Sequence, residues 1–109
     1  MAQSNFQVVV CTYRVKAGRE KDFVALLKRH WPTLNRLGIV VDQPRMILQR
    51  RDSDAATCFV EIFAWKDRGF EIAHQHPEVL ALWEPMEAMC EARGGQPATE
   101  FPHYSLLEL

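Results

Sequence analysis

Residues 57–65 read TCFVEIFAW, and the rest of the chain arranges itself around how this run is read. It is rich in β-branched and aromatic residues, holds no glycine or proline, and has the length of a strand. Successive side chains of a strand point to opposite faces. Phe59, Glu61, Phe63 and Trp65 therefore share one face, and Cys58, Val60, Ile62 and Ala64 the other. Both faces are apolar apart from one carboxylate, and a strand of that kind has to be covered on both sides.

Working outward, residues 6–15 (FQVVVCTYRV) form a second strand of the same type, apolar on both faces at Val8–Cys11, and Lys16-Ala17-Gly18 turns the chain. From Arg19 to Leu37 the apolar period changes. Phe23, Leu26, Leu27, His30, Leu34 and Leu37 recur at helical spacing, with Lys28, Arg29 and Arg36 off the stripe. Pro32 predicts a kink and Gly38 a stop. Residues 39–44 read as a connector, 45–51 (RMILQRR) as a charged strand near a sheet edge, and 52–56 as a loop.

Beyond Trp65 a second helical region spans Asp67 to Ala92, broken at Pro77 and bent at Pro85, with Val79, Leu80, Leu82, Trp83, Met86, Met89 and Cys90 as its stripe. Gly94-Gly95 ends it, and residues 101–109 (FPHYSLLEL) read as a last strand. The order is β-α-β-β-α-β, a ferredoxin-like α+β fold with an antiparallel sheet, in one domain over residues 1–109. Its helices cover one face of the sheet. The face carrying Phe59, Phe63 and Trp65 is assigned to the uncovered side, where a second copy related by a two-fold axis would bury it. A homodimer is the expected partner state.

The 109 residues are 48% hydrophobic and 25% charged, ordinary for a globular chain, with a net charge of −1. That balance, with a pI near 6.4, argues against nucleic acid as a partner. The basic cluster Arg45, Arg50 and Arg51 runs straight into Asp52 and Asp54 and reads as a solvated strand end. No stretch reaches the roughly 20 apolar residues of a membrane span. The opening MAQSN lacks the basic and apolar regions of a secretory signal, so a cytoplasmic location is expected. Cys11, Cys58 and Cys90 form no C-x-x-C pair and are expected to be reduced and buried.

Glu61 is the most informative residue for chemistry. A buried carboxylate is costly unless paired, hydrogen-bonded or protonated. Its expected partners are Tyr13, His103 or an arginine across the sheet. A free, perturbed Glu61 would suit a general base, whereas one tied up in a salt bridge would favour a binding module. Tyr13 shares a face with Cys11 and Val9. His74 and His76 stand two apart, about 200° on a helix, so they do not share a metal, and no metal site is expected. One of them lines the pocket as a proton carrier or hydrogen-bond donor, while the plainer role for His74 is to end a short helix. Trp31 and Trp83 read as packing, with Trp83 also able to close one end of a cavity. Glu84, Glu87 and Glu91 read as a solvated helix face.

The runs VVVCTYRVKAG (8–18), EIFAW (61–65) and AHQHPEVLALWEPMEAMC (73–90) carry a resemblance to the dimeric α/β-barrel superfamily, in particular to antibiotic-biosynthesis monooxygenases. That resemblance implies a dimeric α/β barrel. It also implies an oxygenase that uses no metal, flavin or other cofactor, because an electron-rich phenol reacts with dioxygen once deprotonated. The protein then contributes a dry cavity, a base and a hydrogen bond to the anion. On this reading Glu61, His74 and Tyr13 are catalytic, and Trp65, Phe63, Phe59, Cys11, His76, Trp83 and His103 hold an aromatic or polyketide-like substrate. Two alternatives stay open. One is a non-catalytic module for a small hydrophobic ligand. The other is a haem-binding or haem-degrading protein: Trp65 matches that branch's tryptophan and His74 or His76 its histidine, but Cys11 stands where it has asparagine.

Overall fold

In the computed structural model, residues 6–52 and 55–109 are described; the opening residues 1–5 and part of the expected 52–56 loop lie outside them. The elements follow as β1 (Gln7–Val15), α1 (Glu20–Arg36), β2 (Val40–Arg51), β3 (Thr57–Trp65), α2 (Gly69–Gln75), α3 (Pro77–Ala88), β4 (Thr99–Glu100) and β5 (His103–Tyr104). The sheet order is β2-β3-β1-β4, with β5 also on β1, and every pairing is antiparallel. This is the ferredoxin-like α+β arrangement expected from the sequence.

The β1–β3 ladder runs in register from Gln7 opposite Trp65 to Val15 opposite Thr57, which sets Cys11 across from Glu61 and Tyr13 across from Phe59. Val9, Cys11, Tyr13 and Val15 on β1 and Phe59, Glu61, Phe63 and Trp65 on β3 are all buried. They pack with Phe23, Leu27, Trp31 and Leu34 of α1 and Val79, Leu82 and Met86 of α3. The aromatic face of β3 is thus the helix-covered one, which corrects its assignment to the open side. Alternation says which residues share a face but not which face the helices take. The larger side chains go where two layers must be filled. The open face instead carries Val8, Val10, Val60 and Ile62, all half-buried, together with Met46 and Leu48, about half exposed.

Two strand boundaries also differ, whereas α1 keeps its expected extent and runs on through Pro32. Burial of Trp31 and Leu34, worth about 2–3 kcal/mol each, outweighs the local preference against helix there. β2 starts at Val40 rather than Arg45, with an irregularity between these two positions absorbing the intervening residues; Arg45 lays its guanidinium over the Trp31 ring at 4.1 Å. The expected last strand, 101–109, shrinks to β5, and β4 pairs just ahead of its expected start; between them Pro102 has no N–H to give to the ladder. Its carbonyl still accepts from Val10 N–H at 3.1 Å. The register holds across it, from Thr12 opposite Glu100 to Val8 opposite Tyr104, so Phe101 falls opposite Cys11.

Arg93, just after α3, was not singled out by its sequence context. Its guanidinium donates to both Asp52 oxygens at 2.8–3.2 Å, to the Val15 carbonyl at 2.8 Å and to the Thr57 carbonyl at 3.0 Å. It ties together the ends of all three long strands.

Candidate active site

The centre of the site is Glu61, 2% exposed in the middle of β3. Tyr13 Oη–H donates to its Oε1 at 2.9 Å. His30, on the buried stripe of α1, places Nδ1 2.9 and 3.0 Å from the two carboxylate oxygens. The other ring nitrogen, Nε2, accepts the indole N–H of Trp83 at 2.8 Å. That last bond needs a lone pair on Nε2, so His30 carries its proton on Nδ1 and donates it to Glu61. The four residues form one chain of hydrogen bonds, Trp83 to His30 to Glu61, with Tyr13 joining from the other side. Burial, followed by the Glu61 charge, raises the Tyr13 hydroxyl well above its usual range. The same two causes push the Cys11 thiol far up. Both stay protonated at neutral pH.

Beside this network lies a cavity of about 180 Å3, bounded by the sheet, α1, α2 and α3. Val9, Cys11, Tyr13, Phe63 and Trp65 line it from the sheet, His30 from α1, Phe70 and His74 from α2, Trp83, Met86 and Glu87 from α3, and Thr99, Phe101 and His103 from the C-terminal segment. The rings meet edge to face: Phe63 and Trp65 at 5.0 Å, Phe70 and His74 at 4.3 Å, His74 and Trp83 at 5.1 Å, Phe70 and His103 at 4.9 Å. The buried Trp65 indole N–H has no partner among the described residues. His103 Nδ1–H donates to Gln7 Oε1 at 3.2 Å, and burial lowers its pKa.

Local chemistry fixes the upper wall. A Cβ on Gly69 would meet the Ile39 carbonyl oxygen at 2.3 Å and the Trp65 ring at 3.3 Å. Only glycine lets α2 start there and hold Phe70 and His74 over the cavity. His76 then ends α2 in an extended conformation and caps α3, its Nδ1 accepting from Glu78 N–H at 3.2 Å. Pro77 follows as the first residue of α3, where a missing N–H costs nothing.

Of the residues singled out from the sequence, the cavity gathers Cys11, Tyr13, Phe63, Trp65, His74, Trp83 and His103. Glu61 stands behind Tyr13 and His30 instead of lining it; held by both, it is not the free base expected from the sequence, and with His30 neutral it is not half of a salt bridge either. Phe59 turns away to stack on Phe23 at 5.4 Å, and His76 is a helix cap. The sequence reading missed His30, Phe70, Met86 and Phe101 as wall residues, and Glu87 stands at the wall although its spacing placed it on a solvated face. All three cysteines are free and buried. Among the described residues no cluster of histidine, cysteine and acidic side chains is arranged to hold a metal, and no helix is long and apolar enough to cross a membrane.

Known structures share this architecture. SnoaB from Streptomyces nogalater, described as a cofactor-independent oxygenase, superposes with a TM-score of 0.72 at 19% identity, over 97% of each chain. The fold is that of the antibiotic biosynthesis monooxygenase-like proteins. A proposed antibiotic biosynthesis monooxygenase from Nitrosomonas europaea matches with a TM-score of 0.71 at 18% identity, over 98% of this chain and 95% of its own. A conserved protein from Methanosarcina mazei Go1 matches at 0.66 and 14%, over 91% and 90%. No family model matches the chain, and no curated protein matches it in sequence.

Proposed function

We propose that the chain is a small-molecule enzyme of the monooxygenase-like fold, acting without a cofactor on a flat phenolic ligand bound between sheet and helices. The observation that carries this is the union of an aromatic cavity with a hydrogen-bonded Tyr13–Glu61–His30–Trp83 network at its wall. Rings in edge-to-face array recognise a flat ring. An unpartnered buried donor such as the Trp65 N–H suits an acceptor oxygen on the ligand, because buried polar groups are normally paired. Cys11, Phe63 and Trp83 supply contact area, and His74 and His103 border the cavity as further polar groups.

The volume of about 180 Å3 favours one substituted ring or a compact pair, since an apolar cavity of about 150 Å3 already holds benzene. A four-ring polyketide is too large for the cavity as it stands, and a porphyrin larger still. In the reaction the deprotonated ligand is the reductant and dioxygen the oxidant. The residues exclude water, orient the ring and stabilise the anion. The likeness in fold to SnoaB supports this reading.

An oxygen-electrode screen of one- and two-ring phenols and hydroquinones tests it. Uptake that needs no added metal or flavin, and falls at least about ten-fold in Trp65→Phe, a loss of about 1.4 kcal/mol of transition-state stabilisation, is the expected result. Ligands that bind by calorimetry yet drive no uptake would instead make the chain a non-catalytic binding module.

A further inference from the structure

His30 is the one member of the network with a ring nitrogen whose lone pair meets a group of the cavity wall. Nδ1–H is held by both Glu61 oxygens, which fixes the tautomer, and among the described residues the hydrogen-bond partner of Nε2 is the Trp83 indole N–H at 2.8 Å. Both His30 and Trp83 line the cavity. His30 is 1% exposed, whereas Trp83 is half-buried and comes from a different helix. A base held by a carboxylate behind it and capped by a displaceable donor in front is an arrangement for taking a proton.

We propose that His30 is the proton acceptor of this site. A phenolic or enolic ligand displaces the Trp83 N–H from His30 Nε2 and occupies the same position with its own O–H. The O–H bond breaks, its electron pair stays on oxygen, and the proton forms a new bond to Nε2. The result is a phenolate or enolate beside an imidazolium whose Nδ1–H still points at the Glu61 carboxylate. Charge is conserved, and Glu61 acts as a positioning residue that never touches the ligand. Tyr13 cannot fill this role, since its hydroxyl already donates to Glu61. The inference rests on the cavity being a site for small phenols and adds the residue that ionises them.

A nitrophenol dye, whose phenolate and neutral forms differ in colour, makes the step visible with the full chain. The dye is bound at a pH below its own midpoint, where most of the free dye is neutral. The bound dye should show a phenolate-to-phenol ratio at least about ten-fold that of the free dye, one pKa unit or more. His30→Gln should bind the dye in its neutral form, and Trp83→Phe, which lacks the competing N–H, should keep it ionised. Nitrogen NMR of the unaltered protein provides a second measurement in case His30→Gln does not fold: Nε2 should be unprotonated in the empty protein and protonated in the complex. A dye that binds but stays neutral, or an ionised dye in folded His30→Gln, overturns the role of His30 and leaves the cavity standing. So do loss of ionisation in His74→Gln with retention in His30→Gln, and an Nε2 still unprotonated in the complex. Failure of the dye and of all one-ring phenols to bind overturns the reading of the cavity itself, and this inference with it.

Discussion

Glu61 occupies a position that strand alternation reserves for a large apolar side chain, between Phe59 and Phe63. Desolvating a carboxylate costs several kcal/mol, and hydrogen bonds to a charged group return about 1.5–3 kcal/mol each. With Tyr13 and His30 both donating to it, the cost is largely offset. Removing a donor exposes it, so His30→Leu should lower the free energy of unfolding by about 2–3 kcal/mol in urea titrations. Tyr13 gives a spectroscopic check. Its pKa lies well above the ordinary phenol value of 10.0, first through burial and then through the Glu61 charge. In Glu61→Gln the tyrosinate absorbance should appear at lower pH than in the parent protein, yet still above the ordinary range, because burial is the larger cause. A midpoint unchanged by the substitution would remove Glu61 as a cause. The unfolded chain ionises first, so this group's contribution is intact below pH ~10 and is lost as the pH climbs through the folded value. The Glu61 half of this arrangement was legible, since a carboxylate on a buried face must find donors. In the sequence His30 stands among the apolar positions of the α1 stripe. The available signal was that both facing surfaces carried one polar residue each.

At the level of elements, β1, α1 and β3 were legible because their hydrophobic periods run uninterrupted over many residues. The start of β2 and the last strand were not: an irregular pairing and a proline decide them, and neither leaves a periodic trace. The Arg93 clamp is equally silent in sequence, because its partners lie at the far ends of other strands. It leads to a pH prediction. Hydrogen bonding and charge from Arg93 hold the Asp52 carboxyl below the ordinary aspartate value of 3.8. Its contribution is therefore complete above the ordinary carboxylate range near pH ~4 and is lost as the pH falls through the folded value. Asp52→Asn should be less stable than the parent by about 1–3 kcal/mol at neutral pH. That gap should close on acidification, as read by urea unfolding at a series of pH values. A gap that persists unchanged at low pH would mean the clamp acts through shape alone. Gly69 carries the matching prediction for α2. In Gly69→Ala the Cβ collides with the Ile39 carbonyl, so α2 must shift, and ligand affinity should fall together with thermal stability.

For the whole molecule, the aromatic face of β3 reads as the open one from sequence, because both faces of the strand are apolar and only the helices distinguish them. After that correction, the expected second copy would have the opposite face to cover. Val8, Val10, Val60 and Ile62, flanked by Met46 and Leu48, leave an apolar sheet surface that a second copy would cover with sheet packed on sheet. Ile62→Glu should then weaken self-association at least about a hundred-fold, some 2.7 kcal/mol, in sedimentation equilibrium. A parent protein that sediments as a monomer at all accessible concentrations would reject the second copy. The strand registers carry a practical consequence. Opposed residues in β1–β3, β1–β4, β1–β5 and β3 against residues 45–51 of β2 have numbers that are both odd or both even. Parity therefore runs across most of the sheet: odd-numbered positions of these ladders belong to the helix-covered side and even-numbered ones to the open face. A mutational library confined to odd positions reshapes the cavity wall and leaves the open face as it is, and one confined to even positions does the reverse.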